Sequence, residues 1–436
     1  DITPELALNV GLALATVMKG KGSVLIGRDV RFSGETLENA VSSGLMAGGV
    51  DVGFLGVAPT PTLAFCTKYY GFTRGVMITA SHNPPEYNGI KVFAETGSPI
   101  KREEELEIEE TVNKRRFRYA KWSEVGKELG TFNINPYVEA VVDYVGEVKK
   151  RLKVVVDPGC GATAEVAPAI YRKIGCDVIA VNSEMNGAFP ARHPEPTADS
   201  LKETAMYVKE VEADVGLAFD GDGDRLVAVD EKGHVVEGDR LLAFLAREVL
   251  SRKKGLVVAT VDTSAIVEEE VKKAGGSFKR VAVGDVNVIR ELERGGIFGG
   301  EPAGVFVFPD FSPAPDGVLA GAVLVKWLSE YNKPLSELIG EIPSRPIVRR
   351  KLKCDEPKKR AVMELVKRKV SGTFKVREIS TVDGLWCRVN EDTWFLIRPS
   401  GTEPILRVTV ESSDRGNAEK IADELSSCLA RIIKEV

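Results

Sequence analysis

The sequence predicts an α/β protein, because short apolar runs rich in β-branched residues alternate with longer helical patterns through most of the chain. This alternation is typical of βα units around mainly parallel sheets. The pattern restarts near residues 135 and 239, which divides most of the chain into three similar blocks. The last block differs, since several short strands follow one another there. We therefore expect three similar mixed-sheet α/β domains and a smaller C-terminal α+β domain.

The first block opens with a helix signal. Thr3 is a suitable N-cap, and Pro4 suits a first helical position, where a missing N–H costs nothing. The apolar stretch 6–18 then predicts a buried helix, because acidic Asp1 and Glu5 replace the basic region of a secretion signal. The other elements predicted for this block are strands at 23–26, 50–54 and 75–79 and a helix at 34–47.

The second and third blocks repeat this pattern. The second block begins near Asn135 with a helix predicted at 136–149. Its further elements are strands at 152–156, 177–180, 215–218 and 226–229 and helices at 163–174 and 199–211. The elements predicted for the third block are helices at 240–250 and 265–274 and strands at 256–260 and 296–299.

The fourth block follows a proline-containing linker at 343–346. It combines a helix at 358–370 with strands at 376–379, 385–389, 393–397 and 405–410. One face of the final helix is apolar and carries Ile421, Leu425, Cys428, Leu429 and Ile432. The domains predicted from these blocks are 1–135, 136–238, 239–345 and 346–436.

The overall composition excludes several classes of partner. The 436 residues carry a net charge of −5, which offers no global basic field for nucleic acid or an anionic membrane. No apolar run reaches the ~18 residues that a membrane span needs. The 6 cysteines are scattered without metal-like spacing, which favours a reducing cytoplasm over a disulfide framework or a zinc site. We expect no nucleic-acid or membrane partner, and the oligomeric state is left open.

Three aspartates stand close together in the segment 213–230, ADVGLAFDGDGDRLVAVD. Residues i, i+2 and i+4 of an extended segment share a face, and the two intervening glycines let the backbone bend. The carboxylates that can converge in this way are Asp220, Asp222 and Asp224. Such a cluster needs a cation, and oxygen ligands alone suit Mg²⁺. A solvated acidic turn is the alternative, whereas an EF-hand fails because Arg225 stands where that loop needs glycine.

A second candidate segment is 75–93, GVMITASHNPPEYNGIKVF, in which a strand ends at a polar loop. Open α/β sheets bind ligands at the carboxyl ends of their strands, so Ser81 is a candidate nucleophile, with His82 beside it. The alternatives are a capping serine and a structural histidine. A Ser-His-Asp hydrolase is poorly supported, because no GxSxG elbow surrounds Ser81.

The segment 393–410, TWFLIRPSGTEPILRVTV, predicts two strands joined by a loop that suits an anion. The loop can offer guanidinium, hydroxyl and backbone N–H groups to one phosphate, from Arg398, Ser400, Gly401, Thr402 and Arg407. An ordinary hairpin turn is the alternative.

The segment 299–304, GGEPAG, is a further candidate. The carboxylate of Glu301 can accept hydrogen bonds from two sugar hydroxyls, although a surface loop is the default interpretation.

Together these four loops resemble those of the α-D-phosphohexomutase superfamily, which includes phosphoglucosamine mutase, phosphomannomutase and phosphoglucomutase. TASHNPPEYNGIKVF resembles the phosphoserine loop, DGDGDR the magnesium loop, GGEPAG the sugar loop and RPSGTEP the phosphate loop, in the family's order. The resemblance covers nearly the whole chain. It implies four domains around a central active-site cleft, the last of them a mobile lid. It also implies an isomerase that interconverts hexose 6-phosphate and hexose 1-phosphate through phosphoserine and a hexose 1,6-bisphosphate.

The resemblance assigns roles to single residues. Ser81 is expected to carry the phosphoryl group and to bind Mg²⁺ together with Asp220, Asp222 and Asp224. The other catalytic candidates are Lys91, His82 and Arg225. The sugar is expected at Glu301 and Ala303, and the second phosphate at Arg398, Ser400, Gly401, Thr402 and Arg407. Further residues in family segments near the cleft are Arg28, Arg31, Arg192 and His193.

Several positions depart from the family pattern and leave the sugar open. Ala303, Val305 and Ala282 replace residues that are frequent in the family, and the family's opening segment is absent, which suggests trimming or disorder before Asp1. The GEPxG form most resembles archaeal phosphoglucosamine mutase-type chains, so glucosamine phosphate is favoured, with mannose or glucose phosphate as the alternative. A metal-dependent sugar phosphatase and a non-catalytic sugar-phosphate binding protein are alternatives of a different class.

Overall fold

The computed structural model describes residues 2–373, 376–401 and 403–436. The chain forms two compact units. Unit 1 comprises Asp1–Gly238 and Ala303–Ile339, and unit 2 comprises Asp239–Pro302 and Gly340–Val436. Within the described ranges, no helix has both the length and the apolar character that crossing a membrane requires.

Unit 1 begins with a mixed sheet and its helices. These elements are α1 (Pro4–Val17), β1 (Ser23–Arg28), α2 (Gly34–Ala47), β2 (Asp51–Val57), α3 (Thr60–Tyr69), β3 (Arg74–Ile78), β4 (Ile90–Ala94), α4 (Arg102–Lys114) and β5 (Glu128–Thr131). The strand order is β4-β3-β1-β2-β5, with β4 antiparallel to β3 and the other pairs parallel. The loop that contains Ser81 therefore leaves the carboxyl end of β3.

The second sheet of unit 1 is also mixed. Its elements are α5 (Asn135–Val145), β6 (Lys153–Asp157), α6 (Val166–Lys173), β7 (Asp177–Ala180), α7 (Lys202–Glu210), β8 (Val215–Phe219) and β9 (Leu226–Asp230). The order is β7-β6-β8-β9, and only β8 and β9 pair antiparallel. Each residue of β8 is buried, as expected for an apolar strand with both faces covered. The three aspartates lie in the short connection between β8 and β9.

The next stretch of the chain contributes to both units. In unit 2 it forms α8 (Gly238–Arg252), β10 (Leu256–Thr260), α9 (Ala265–Lys273), β11 (Ser277–Val281), α10 (Asp285–Leu292) and β12 (Gly296–Glu301). Strand β10 pairs parallel with both β11 and β12. The chain then returns to unit 1 as β13 (Val305–Val307), α11 (Gly317–Leu328) and α12 (Leu335–Gly340).

The C-terminal part of unit 2 is an antiparallel sheet with two helices. Its elements are β14 (Ile347–Lys353), α13 (Glu356–Thr373), β15 (Glu378–Ser380), β16 (Leu385–Arg388), β17 (Trp394–Pro399), β18 (Ile405–Glu411) and α14 (Arg415–Glu435). The order β14-β18-β17-β16-β15 is antiparallel throughout. Asp414 caps α14, and the predicted apolar face of this helix packs against the sheet, with Cys428 only partly buried.

The sheets confirm the predicted fold class, whereas the domain boundaries stay a prediction. The N-cap expected at Thr3 is present, because its hydroxyl accepts the Leu6 N–H at 3.2 Å. The helix predicted at 136–149 ends earlier, at Val145, since Gly146 follows with a φ of 71°. Helix α11 was not predicted, because almost every position is apolar and no amphipathic period marks it.

Candidate active site

Ser81 lies just beyond strand β3 in a left-handed backbone conformation, with a φ of 51°. Its N–H donates to the Thr79 hydroxyl at 2.8 Å, and its own hydroxyl donates to Asp220 Oδ2 at 2.7 Å. A positive φ is uncommon for any residue except glycine and costs conformational energy. The loop thus holds the Ser81 hydroxyl against the aspartate cluster at the cost of local strain.

A buried arginine fixes this loop from beneath. Arg31 is 1% exposed and donates to the carbonyl groups of four loop residues, Ser81, Asn83, Pro84 and Tyr87. Its Nε pairs with Asp29 at 2.9 Å, so the buried charge is balanced. One guanidinium therefore determines the path of the backbone around Ser81.

The three aspartates converge because glycines separate them. A Cβ added at Gly221 would lie 2.6 Å from the Ser81 carbonyl oxygen, so only glycine lets the two loops approach this closely. Gly223 has a φ of 76°, in the region that glycine adopts readily. Asp220 Oδ1 accepts the N–H groups of Gly223 and Arg225, both at 3.1 Å. These contacts fold the predicted acidic segment into a tight cluster.

The cluster has the donors that a divalent cation needs. One carboxylate oxygen from each of Asp220, Asp222 and Asp224 lies within 4.8 Å of the others, and all three residues are buried. Asp222 Oδ1 and Asp224 Oδ1 have no hydrogen-bond partner within the described part of the chain. Buried carboxylate oxygens without a partner are costly, and a hard cation bound by oxygen removes that cost. These residues therefore fit Mg²⁺.

Lys91 balances part of the negative charge. Its Nζ donates to Asp222 Oδ2 at 2.8 Å and to Asp224 Oδ2 at 2.9 Å. Burial alone would lower the pKa of Lys91, but these two carboxylates outweigh it and hold that pKa well above its ordinary value. Lys91 is therefore a protonated member of the cluster.

The carboxylates differ in their acidity. Burial and the neighbouring carboxylates Asp224 and Asp222 raise the pKa of Asp220 well above its ordinary value. Burial would also raise the pKa of Asp222, but the charge and hydrogen bond of Lys91 hold it at about 2. The cluster thus contains one firmly ionised carboxylate and one that resists ionisation unless more positive charge is present.

His82 and Arg225 border the same cluster. The Ser81 hydroxyl lies 3.4 Å from His82 Nδ1. Burial and the charge of Arg225 lower the pKa of His82, which favours the neutral imidazole. The Arg225 guanidinium lies 3.7 Å from Glu195, and its backbone N–H binds Asp220. The structure thus places the His82 ring beside Ser81 and joins Arg225 to the cluster through Asp220.

Two residues support the aspartate loop, of which Thr60 was not predicted and Arg192 was expected only as part of a family segment near the cleft. The Thr60 hydroxyl donates to Asp222 Oδ2 at 2.6 Å, and Thr60 begins helix α3 directly after the carboxyl end of β2. The position of Thr60 just after the end of a strand was the feature of the sequence that could have identified it as a site residue. Arg192 donates to the carbonyl of Phe219, the residue before Asp220, at 2.7 Å, and pairs with buried Asp157 at 3.0 Å. Both residues hold the aspartate loop in place.

The chain passes from unit 2 to unit 1 within the predicted sugar loop, between Pro302 and Ala303. Glu301 ends strand β12 in unit 2, where it is buried and its Oε1 accepts the Gly284 N–H at 2.7 Å. Ala303 belongs to unit 1 and is exposed in the turn that precedes β13. Ala282, where the family often has lysine, lies two residues before Gly284. Glu301 is therefore fixed by the backbone of that segment.

The predicted phosphate loop joins β17 to β18 in unit 2, and its arginines are paired with carboxylates. Arg398 Nε lies 3.3 Å from Asp383, which also accepts the Val283 N–H at 3.2 Å. Arg407 pairs with Glu403. Ser400 is buried and Gly401 is exposed, whereas Thr402 lies outside the described residues. Each of these pairs is made by one guanidinium nitrogen, and a guanidinium group carries five N–H donors.

Comparisons with known proteins agree with this geometry. Four family models match in succession: phosphoglucomutase/phosphomannomutase alpha/beta/alpha domains I, II and III at residues 1–119, 135–233 and 237–345, and the C-terminal domain at 351–427. The chain is 43% identical over 433 residues to a probable phosphoglucosamine mutase of Methanosphaera stadtmanae, covering 97% of this chain and 94% of that protein.

Two further proteins extend the comparison. A probable phosphoglucosamine mutase of Methanopyrus kandleri is 42% identical over 438 residues, covering 100% of this chain and 96% of that protein. The crystal structure of a phosphoglucomutase/phosphomannomutase family protein from Burkholderia thailandensis is similar with a TM-score of 0.89 and 28% identity, covering 99% of this chain and 94% of that one. The chain therefore belongs to the phosphoglucomutase/phosphomannomutase family.

Proposed function

We propose that this protein is a phosphoglucosamine mutase, an isomerase that interconverts the 6-phosphate and 1-phosphate of glucosamine. The observation that carries the proposal is the 2.7 Å hydrogen bond from the Ser81 hydroxyl to Asp220, inside a cluster of three buried carboxylates. A serine shared with such a cluster suits phosphoryl transfer, in which positioning and charge stabilisation do most of the work. The names of the curated relatives favour glucosamine over mannose or glucose.

The phosphoryl group moves twice in the proposed cycle. Phosphorylated Ser81 gives its phosphoryl group to the free hydroxyl of the sugar monophosphate. The new P–O bond forms as the Ser81 P–O bond breaks, and the proton of the sugar hydroxyl ends on the Ser81 oxygen. The resulting hexose 1,6-bisphosphate turns over, and Ser81 takes the other phosphate back. The net reaction is an isomerisation, so no phosphate is released.

Residues around Ser81 have separate tasks in this cycle. Asp220, Asp222 and Asp224 would hold Mg²⁺, which offsets charge on the transferring phosphoryl group when bound. Lys91 keeps the pair Asp222 and Asp224 compensated, and its ammonium adds positive charge at the site. A neutral His82 imidazole beside the Ser81 hydroxyl is suited to accept a proton.

Two further groups of residues are proposed to bind the parts of the substrate that are not reacting. Arg398, Ser400, Gly401, Thr402 and Arg407 are proposed to bind the second phosphate, since guanidinium groups and N–H groups match its oxygens. Glu301 and Ala303 are proposed to contact the sugar. Because the bisphosphate must present each end in turn, these groups have to release and rebind a phosphate in every cycle. We place the reaction in the cytoplasm, in line with the scattered cysteines.

The proposal is tested by a coupled assay with Mg²⁺ and a trace of hexose bisphosphate, in which glucosamine, mannose and glucose phosphates are offered side by side. We expect the highest kcat/KM for glucosamine phosphate and no release of inorganic phosphate. Ser81→Ala should abolish turnover while substrate still binds. Unchanged activity of Ser81→Ala would rule out the mechanism, steady phosphate release would indicate a phosphatase, and preference for mannose or glucose phosphate would correct the sugar.

A further inference from the structure

A lysine lies buried beneath the loop between β17 and β18. Lys359, near the start of helix α13, is 5% exposed. Lysine is rarely buried to this extent unless its charge and its donors have partners. The lysine belongs to none of the four loop motifs, and no role in phosphate binding follows from its position in the sequence.

All three donors of the ammonium group have acceptors. Nζ donates to the Ser400 carbonyl at 2.6 Å, to the Glu403 carbonyl at 2.7 Å and to the carboxylate of Glu356. A protonated lysine has three N–H donors and no acceptor, so none is left over. Two of these bonds go to backbone carbonyls of the phosphate loop, one on each side of Gly401 and residue 402.

The bond to Ser400 sets the direction of a peptide group. In a trans peptide, C=O and N–H point in opposite directions. The Ser400 carbonyl points to Lys359, so the N–H of Gly401 in the same peptide points away from it. Gly401 is exposed, so this N–H is on the outer side of the loop, where an anion can reach it.

The remaining contacts fix both ends of the loop. The Ser400 N–H donates to Ile405 O at 3.0 Å, and the Ser400 hydroxyl accepts the Glu403 N–H at 3.2 Å. The Pro404 carbonyl accepts the Cys354 N–H at 2.9 Å. Lys359 thus completes a set of hydrogen bonds that holds Ser400, Glu403 and Pro404 in place and leaves the Gly401 N–H directed away from the lysine.

We infer that Lys359 is a positioning residue for phosphate binding, which orients the loop so that Ser400 and Gly401 can bind the phosphate that is not reacting. The inference rests on the proposed function of this loop. It assigns Lys359 to substrate binding and not to the transfer step, because both backbone carbonyls that accept from its ammonium group belong to the phosphate loop.

The test compares Lys359→Met with Lys358→Met. Methionine keeps a similar apolar length but removes all three donors, and Lys358 is a neighbouring lysine on the same helix that undergoes the same chemical change. For Lys359→Met, loss of two charge-assisted hydrogen bonds predicts a KM for glucosamine 6-phosphate raised by about 10-fold or more. Its kcat should change by less than about threefold, since the transition-state groups are untouched. Lys358→Met should match the wild type in both constants.

Equilibrium binding separates positioning from a general structural role. Calorimetry with glucosamine 6-phosphate should show a Kd weakened by the same factor as KM, while circular dichroism shows a folded protein. A folded Lys359→Met enzyme with unchanged KM and Kd would overturn the inference, as would a fall in kcat alone.

A second variant covers the case in which Lys359→Met does not fold. Glutamine is one bond shorter than lysine, so Lys359→Gln cannot reach both carbonyls and should raise KM by about threefold or more. A folded Lys359→Gln enzyme with wild-type KM would overturn the inference. Failure of the proposed function is distinguishable, because in that case the wild-type enzyme itself would not interconvert or bind glucosamine 6-phosphate.

Discussion

The Ser81 loop of unit 1 and the phosphate loop of unit 2 are both held by a buried cation, but to different degrees. Arg31 binds four carbonyl groups of the Ser81 loop and is balanced by Asp29, which is itself buried. Lys359 binds only two carbonyl groups of the phosphate loop, and its partner Glu356 is largely exposed. Arg31 therefore holds its loop through twice as many carbonyl groups as Lys359 holds in the phosphate loop.

This difference matches the tasks proposed for the loops. A nucleophile must keep its position to within a fraction of an ångström, because small displacements strongly lower the reaction rate. A loop that binds either end of a bisphosphate must exchange partners, and its arginines already sit on carboxylates that phosphate can replace. We expect changes near Ser81 to act on kcat and changes in the phosphate loop to act on KM.

The largest effect is expected for Asp222→Asn. The substitution removes one of the three carboxylates and leaves Lys91 with a neutral partner, so kcat should fall by about 10³-fold. A Mg²⁺ titration of activity should also shift to higher concentration. The matched control is Asp199→Asn, an exposed aspartate of unit 1. Full activity at the wild-type Mg²⁺ requirement would contradict the metal assignment.

Arg31→Met tests the Ser81 loop, the more tightly held of the two loops. Four carbonyl groups would lose their donor and Asp29 its counter-charge, so the Ser81 hydroxyl should shift and kcat should fall by about 10²-fold. Stability should fall as well, which thermal denaturation will measure. Kinetics must therefore be recorded well below the melting temperature. A kcat equal to that of the wild type would show that the loop keeps its path without Arg31.

Arg407→Met tests the phosphate loop, the less tightly held of the two loops. Loss of one guanidinium should raise the KM for glucosamine 6-phosphate by about 10-fold, the worth of a charge-assisted hydrogen bond, with a small change in kcat. Arg415→Met, at an exposed position on helix α14, supplies the control. If kcat fell and KM stayed constant, the division of tasks between the two loops would be wrong.

The smallest effect is expected for Asp383→Asn. Asparagine can still accept the Val283 N–H, but it no longer competes for Arg398 by charge. Phosphate should then bind slightly better, and KM should fall by about twofold, the scale of a partly exposed ion pair. Steady-state kinetics at two salt concentrations will measure it. A large increase in KM would instead mean that Asp383 orients Arg398 for phosphate.

The sequence indicated the candidate site residues more directly than the residues that hold them in place. Ser81 and the three aspartates stand in dense motifs at strand ends, where the pattern itself brings functional groups together. Thr60, Arg31 and Lys359 reach their partners across 162, 50 and 41 residues of chain. No local sequence pattern predicts such contacts, because they exist only once the sheets have formed.

Local sequence patterns also failed to predict some of the secondary structure. The buried helix α11 lacks the polar face by which amphipathic helices are recognised, and strand β11 has no long apolar run. The end of helix α5 depended on the conformation of Gly146, which the apolar pattern around it did not reveal. Packing and backbone geometry decided these positions.

The left-handed conformation of Ser81 also limits which residue can replace it during evolution. Serine and threonine carry the same hydroxyl, and the chemistry of phosphoryl transfer alone would accept either. A β-branched side chain is strongly disfavoured at a positive φ, because its second substituent crowds the backbone. Threonine should therefore be absent at this position in functional relatives, because the backbone, and not the reaction, requires the proposed nucleophile to be a serine.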